Sequence, residues 1–222
     1  MNNDFAKRHQ KSVHEFYETH GSSFAKTRGD IWPEQILLAK TIHPEMTVID
    51  IGAGNGRFNG ILPKDVAYLG VEPSKSLREA SHVKLLPGEL PHLLIQDNIG
   101  DLTACFAVLH HIPTVELRQA SIREIIRVTK PNGRLAVSAW YIPEGKFEEV
   151  KDSEDNDVWI PWKADQKTVR RFVHRFTELE WKKLWTRPEL EIEQIGLFGR
   201  EDWTKNTDEA RNFFVMAKKK SA

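Results

Sequence analysis

The sequence lacks the features that mark secreted, membrane-spanning or strongly basic proteins. Its single cysteine, Cys105, excludes a disulfide framework and a cysteine-based zinc site, and it fits a reducing compartment. It contains no run of about 18 apolar residues, so we expect no membrane partner, and its N-terminal residues lack the apolar stretch of a signal peptide. The chain has 32 lysines and arginines and 32 aspartates and glutamates. It therefore has no net positive charge with which to bind nucleic acid. These absences predict a cytoplasmic protein.

What the chain does contain is an alternation of short apolar runs and amphipathic segments. Its 222 residues are enough for one domain with a substantial core. Repeated alternation of strand and helix favours an α/β fold, in which helices cover both faces of a parallel sheet. Pro33 and Thr114 are placed to begin two of the helices. The predicted strands span residues 46–51, 66–71, 83–86, 101–108, 134–140, 191–198 and 212–217, the last two as a hairpin.

The sharpest local signal is a glycine-rich segment directly after the first predicted strand. Asp50 is followed by Gly52, Gly54 and Gly56, and glycine allows both a tight turn and the close approach of a ligand. The segment lies at the carboxyl end of the sheet, where such folds bind ligands. Glu72 follows the second predicted strand, and a carboxylate there can accept both hydroxyl hydrogens of a ribose. The pattern therefore predicts a site for an adenosine-containing cofactor.

This order of acid, G-x-G-x-G and second acid resembles the first motifs of class I S-adenosylmethionine (SAM) methyltransferases. A dinucleotide fingerprint would require glycine or alanine where Arg57 stands, which disfavours a nucleotide-dependent oxidoreductase as the alternative. The resemblance implies a Rossmann-like class I fold, with a seven-stranded, mostly parallel sheet and helices on both faces. It also implies SAM as the cofactor and S-adenosylhomocysteine as the product.

Further segments carry the same resemblance. Residues 88–91 resemble the family's third motif, residues 106–111 the end of its fourth strand, and residues 130–135 the turn before its fifth. The resemblance implies that the cofactor is held by Tyr17, Arg28, Asp50, Gly52, Gly54, Asn55, Gly56, Glu72, Pro73, Glu89, Leu90, Ala107 and Val108.

A narrower resemblance is to the tRNA wobble-uridine carboxymethyl methyltransferases, including the methyltransferase domain of an AlkB-homologue enzyme. It rests on Val13-His14 with Tyr17, residues 26–28, Trp32-Pro33, His110-His111 followed by Arg118, and the stretches 160–162, 171–176 and 211–215. The resemblance implies SAM-dependent methylation of a carboxylate on a modified wobble uridine. It also implies tRNA as a partner, and a small activator subunit assists some relatives.

Methyl transfer to a carboxylate makes few chemical demands on the protein. A carboxylate is already ionised at pH 7, so no general base is required, and the chain need only orient it with arginine and histidine donors. We expect no metal, because His110 and His111 on a strand would point to opposite faces. The residues expected to have catalytic roles are Arg28, His111, Arg118 and His174. We expect Trp140 and Trp162 to bind the substrate as walls or stacking platforms.

The neutral total conceals two oppositely charged segments. Residues 144–157 hold seven acidic side chains and predict a solvated loop. Residues 163–187 hold eight lysines and arginines against three acids, which predicts either an ordinary charged helical face or a surface that docks tRNA. Two alternatives stay open. One is a methyltransferase of a small metabolite, with residues 144–165 closing its pocket, and the other is a non-catalytic scaffold of the same fold that binds RNA or protein.

We predict one domain over residues 1–222, built from four parts. Residues 1–45 form a helical N-terminal cap, and residues 46–140 form the SAM-binding core. Residues 141–190 form an insertion with helices on the substrate side, and residues 191–222 form a closing β-hairpin.

Overall fold

The computed structural model describes residues 3–27, 30–153, 155–164 and 167–221. Two helices precede the first strand, α1 (Asn3–Lys26) and α2 (Pro33–Ala39). Pro33 occupies the first turn of α2, as predicted, and the side chain of Gln35 accepts a hydrogen bond of 3.0 Å from the backbone N–H of Trp32. None of the described helices combines the length and hydropathy that crossing a bilayer requires.

The following segment alternates strands and helices. It comprises β1 (Thr47–Ile51), β2 (Ala67–Val71), α3 (Lys75–Glu79), β3 (Gly100–Phe106), α4 (Val115–Val128) and β4 (Thr129–Trp140). Two short 3₁₀ helices, Arg57–Ile61 and Leu109–His111, follow β1 and β3. The rest of the chain forms β5 (Glu148–Glu149), β6 (Asp157–Ala164), β7 (Lys167–His174), α5 (Glu178–Trp185), β8 (Leu190–Phe198), β9 (Trp203–Thr204) and β10 (Asn212–Lys219).

The main sheet has seven strands in the order β2-β1-β3-β4-β10-β8-β9. β1 pairs in parallel with β2 and β3, and β3 pairs in parallel with β4. β10 runs antiparallel between β4 and β8, so the predicted closing hairpin is present. The carboxyl ends of the first four strands therefore meet at one edge of the sheet.

One predicted strand, residues 83–86, is wrong. Only Leu86 pairs with the sheet, through a bridge to Val71 and two backbone hydrogen bonds, to Gly70 and from Glu72. The next acceptor along that edge, the carbonyl of Glu72, is taken by the guanidinium of Arg78 at 2.7 Å, so the pairing stops there. The seventh strand of the sheet is instead the short β9.

Helices cover both faces of this sheet, as predicted. On one face, α4 and α5 bury Ile122, Ile125, Trp181 and Trp185 completely. On the other face, α2 and the first 3₁₀ helix contribute the core residues Leu38 and Phe58, and Ile42 joins them from the segment after α2. Each large side chain buried in this way contributes about 1.5–3 kcal/mol to the hydrophobic stabilisation.

The two charged segments are packed against each other, which corrects the predicted loop and basic helical face. β5, β6 and β7 form a separate antiparallel sheet, because residues such as Val169, Phe172 and Val173 favour strand. This pairing places Arg170 2.8 Å from Glu148, and part of the basic segment is thereby neutralised. Among the described residues of that segment, only 178–185 are helical. The division of the chain into four parts stays a prediction.

Candidate cofactor and acceptor site

The loop after β1 has a backbone that only glycine adopts without strain. Gly52 has a φ of +71°, and an added Cβ would stand 2.3 Å from Cγ2 of Val108. Gly54 has a φ of +60°, but a Cβ there would meet no atom within 4 Å. The loop is therefore packed tightly at Gly52, whereas Gly54 faces open space.

Glu72 connects the end of β2 to this loop. Its two carboxylate oxygens accept hydrogen bonds of 2.9 Å from the backbone N–H groups of Gly54 and Ser74. Ser74 in turn donates its hydroxyl to the carbonyl of Tyr17 in α1. Burial raises the pKa of Glu72 to about 7, although the two backbone hydrogen bonds favour the ionised form.

Asp50 is a second buried carboxylate at the same edge of the sheet. Its Oδ2 accepts a hydrogen bond of 2.7 Å from the hydroxyl of Tyr68 on β2. Burial raises the pKa of Asp50 to about 6, against the effect of that hydrogen bond. Asp50 and Glu72 thus provide acceptors for the hydroxyl and ammonium donors of a ligand.

These residues line the cofactor cleft, a space between α1 and the carboxyl ends of β1, β2 and β3. The cleft is lined by most of the residues predicted to bind the cofactor, namely Tyr17, Asp50, Gly52, Gly54, Asn55, Glu72, Pro73, Ala107 and Val108. Glu89 and Leu90 line an adjoining cleft that shares Tyr17 and Gly52. Gly56 lines neither of these two clefts, and Arg28 lies outside the described residues.

The cofactor cleft fits SAM in three respects. Glu72 stands where a ribose diol would need an acceptor, and Gly54 leaves open space for a close ligand. Val13, Leu77 and Val108 add apolar walls of the kind that an adenine ring requires.

A chain of hydrogen bonds crosses the wall of this cleft. Burial, and then the charge of Arg171, lower the pKa of His111 to about 3, so its imidazole is neutral. Its Nδ1 donates to the carbonyl of Phe172 at 3.0 Å, which leaves Nε2 to accept the Tyr17 hydroxyl at 2.9 Å. Arg171 donates from Nη1 to the oxygen of Tyr17 at 3.1 Å. Both nitrogens of His111 are thus engaged within the protein.

A second, larger space adjoins the cofactor cleft. Trp32, Arg57 and Trp140 line both the cofactor cleft and this outer cleft. Its charged lining residues are Arg57, Lys146, Arg171, Arg200 and Arg211 against Asp30, Glu34 and Asp208. The excess of cationic groups suits an anionic acceptor.

The two tryptophans predicted to bind the substrate both line the outer cleft. Trp140 stacks on His110 with ring centroids 4.5 Å apart, and Trp162 packs on Phe16 of α1 at 5.4 Å. His110 and His111 lie in a 3₁₀ helix rather than on a strand, and their rings are only 4.3 Å apart. The argument that they point to opposite faces is therefore wrong.

Two residues with predicted catalytic roles lie away from the cofactor cleft. Arg118 is completely buried and contacts Asp155 at 3.0 Å and Glu180 at 3.4 Å. His174 is equally buried, with Nδ1 2.8 Å from Asp157 and Nε2 2.9 Å from Glu180. Both side chains are paired within an internal ion network and line neither cleft, so their predicted contact with the acceptor does not fit the structure.

Sequence reasoning missed Arg171, Arg57 and Trp32 as cleft residues. Arg57 lies 4.2 Å above the ring of Trp32, so the two form one wall. Arg171 lies within a strand whose first half is solvent-exposed, and nothing in the local sequence separates it from the exposed Arg170. Only its burial among aromatic residues distant in sequence sets it apart.

Comparison with known proteins identifies the central segment. Residues 49–137 match the family model described as a methyltransferase domain. The match covers the glycine loop, Glu72 and the 3₁₀ helix that holds His111.

Two curated relatives share more of the chain. A tRNA (carboxymethyluridine(34)-5-O)-methyltransferase of Arabidopsis thaliana is 26% identical over 189 residues, which cover 84% of this chain and 45% of that protein. A protein of the same name from Saccharomyces cerevisiae is 28% identical over 166 residues, which cover 72% of this chain and 59% of that protein. The chain thus spans about half the length of these relatives.

Solved structures share the fold at low identity. A SAM-dependent methyltransferase of Methanosarcina mazei has a TM-score of 0.69 and 19% identity, covering 87% of this chain and all (100%) of that one. A chain from a Haloferax volcanii complex with the Trm112 methyltransferase activator has a TM-score of 0.65 and 13% identity, with 95% and 99% covered. The predicted class I fold is confirmed, as is the resemblance to methyltransferases.

Proposed function

We propose that the chain is a SAM-dependent methyltransferase that methylates a carboxylate on a modified wobble uridine of tRNA. The observation that carries the proposal is the continuity of the cofactor cleft with a larger, cationic outer cleft at Trp32, Arg57 and Trp140. The names of the two curated relatives support the same acceptor.

The chain's own residues would hold the cofactor through the groups already described. When bound, SAM supplies a methyl group on a positively charged sulfur. A nucleophile that attacks this methyl group displaces the sulfur. Glu72 would accept hydrogen bonds from the ribose hydroxyls, and Asp50 with the glycine loop would hold the amino-acid end. Val108 packs against Gly52 and so fixes the loop against the cofactor cleft.

The proposed nucleophile requires no proton transfer. A carboxylate has a reference pKa near 4 and is ionised at pH 7, so orientation is the main task of the site. His111 is unsuited to act as a general base, because its pKa is low and both its nitrogens are engaged. We propose that it positions Tyr17 instead.

The outer cleft supplies what an anticodon nucleotide needs. The half-buried rings of Trp140 and Trp162 line this space and offer apolar contacts to a base. Lys146, Arg200 and Arg211 line the same space and are suited to phosphate groups. We propose tRNA as the partner on this side, acting in the cytoplasm. We also propose an activator subunit as a second partner, because one fold relative was solved with such a protein.

The test is transfer of labelled methyl from SAM to tRNA that carries carboxymethyluridine, with and without an activator subunit. We expect label in the tRNA that mild base releases as methanol, because only an ester at the carboxylate is labile in that way. Label confined to a small-molecule extract would favour the metabolite alternative. Binding of S-adenosylhomocysteine without transfer to either acceptor would favour the scaffold.

A further inference from the structure

Arg171 is a buried cation to which the described part of the chain provides no counter-ion. Only 2% of the residue is exposed, and its Nε has no hydrogen-bond partner. No carboxylate of the described residues lies within 4.0 Å of its guanidinium. Arg118 is equally buried but contacts both Asp155 and Glu180. Because a buried charge without its partner costs about 3–5 kcal/mol, the surroundings of Arg171 are those of a binding site for an anion.

Aromatic rings hold this guanidinium in place. Its central carbon lies 4.9 Å from the ring centroids of both Phe16 and Trp140, and 5.4 Å from that of Phe24. Rings at this distance stabilise a cation and restrict its rotation. They cannot accept the in-plane N–H hydrogen bonds of the guanidinium, so the donors other than the Nη1 N–H that binds Tyr17 are left for a planar anion.

Arg171 is also connected to the cofactor cleft. It donates to the oxygen of Tyr17, which donates to His111, and both of these residues line that cleft. Arg171 itself lines the outer cleft, beside Trp140, which borders both spaces. The charge therefore lies at the junction where an acceptor would meet the methyl group.

We infer that Arg171 binds the carboxylate of the methyl acceptor, holding one oxygen in its guanidinium fork. This inference rests on the proposed function and assigns it a positioning residue. The other carboxylate oxygen forms the new C–O bond, the methyl–sulfur bond breaks with its electron pair going to sulfur, and no proton moves. The cofactor also has a carboxylate. The first experiment distinguishes binding of the acceptor's carboxylate from binding of the cofactor's.

The first experiment compares Arg171→Met and Arg171→Lys with Arg170→Met. Arg170 is the neighbouring arginine of β7, but it is exposed and paired with Glu148, so it serves as the control. We expect kcat/KM for carboxymethyluridine tRNA to fall by about 100-fold in Arg171→Met, since a charged hydrogen-bonded contact is lost. The Kd of S-adenosylhomocysteine should change by less than about threefold. A loss confined to that Kd would assign Arg171 to the cofactor's carboxylate and overturn the inference, and so would unchanged kinetics in both Arg171 variants.

The second experiment measures binding to the wild-type protein and does not depend on activity, and a folded Arg171→Lys variant is needed only to assign the resonance. The Nε–H resonance of Arg171 is followed by ¹⁵N NMR in the S-adenosylhomocysteine complex and is assigned by its absence in Arg171→Lys. We expect 5-carboxymethyluridine to shift it saturably and the neutral 5-carbamoylmethyluridine to leave it unchanged.

The outcomes distinguish the inference from the proposed function. If tRNA is methylated but no carboxylate probe moves the Arg171 resonance, the inference alone is overturned. If acetate shifts the resonance saturably while tRNA receives no methyl group, the proposed acceptor is wrong and the carboxylate site at Arg171 is supported.

Discussion

Glu72 and Gly54 are joined by a hydrogen bond of 2.9 Å between a carboxylate oxygen and a backbone N–H. The bond connects the end of β2 to the glycine loop after β1, two elements that line the same cofactor cleft. Because Ser74 donates to the other oxygen, the carboxylate is held from both sides before any ligand arrives. The site is therefore organised in advance, which lowers the entropic cost of binding.

Replacing Glu72 with glutamine should weaken cofactor binding. The amide has one acceptor oxygen instead of two, so either Gly54 or Ser74 loses a partner and the ribose loses a charged acceptor. We expect the affinity for S-adenosylhomocysteine, measured by calorimetry, to fall at least about tenfold. Glu79→Gln, on an exposed carboxylate of α3 with 68% of its side chain accessible, is the matched control. Equal affinities in the two variants would contradict the role of Glu72.

Cofactor affinity should rise with pH across neutrality. Burial raises the pKa of Glu72 to about 7, so the folded protein holds a proton there at pH 6 and has lost it by pH 8. A ribose diol needs the ionised form, and binding below the pKa must therefore release the proton. We expect affinity to increase by up to about tenfold per pH unit below pH 7 and to level off above it. 5′-Methylthioadenosine is the probe, because it keeps the diol but lacks the titrating amino group, and Glu72→Gln should lose this slope.

Alanine substitutions at two glycines of the loop should differ in how much they affect stability and how much they affect cofactor affinity. Gly52→Ala places a Cβ 2.3 Å from Val108, and we expect it to lower stability by about 2–4 kcal/mol in urea unfolding. Gly54→Ala meets no atom within 4 Å, so only its backbone strain of about 1–3 kcal/mol remains, while its Cβ points into the open space of the cleft. Gly54→Ala should therefore show the larger loss of S-adenosylhomocysteine affinity for each unit of stability lost. A proportional loss in both variants would show that the loop acts only through folding.

The internal ion network should make stability depend on His174. Burial disfavours the charged imidazole, but hydrogen bonds to Asp157 and Glu180 outweigh it and raise the pKa of His174 above 6.5. A group with a raised folded-state pKa contributes its full stabilisation below the unfolded value, and that contribution is lost as the pH rises through the folded value. We expect the stability difference between wild type and His174→Gln to be largest near pH 6 and to shrink towards pH 9. A difference that is constant across this range would mean that His174 does not change its charge.

Local patterns in the chain were sufficient to predict the cofactor half of the site. Asp50, the glycines and Glu72 are close in sequence and follow consecutive strands, so the parallel sheet necessarily brings them to one edge. The acceptor half was predicted less well. Arg118 and His174 are located in an ion network with Glu180, because buried charges require partners that only the folded chain supplies.

Sequence by itself determined the parallel α/β core and the position of the cofactor cleft, because both arise from short-range periodicity and from a loop whose backbone only glycine adopts without strain. Tertiary structure alone decided which cation faces the acceptor. Arg171 and Tyr17 are 154 residues apart, and their hydrogen bond exists only because α1 packs across β7. The same packing gives Arg171 aromatic neighbours, whereas the adjacent Arg170 has an ion pair at the surface, a distinction that depends on strand orientation and burial.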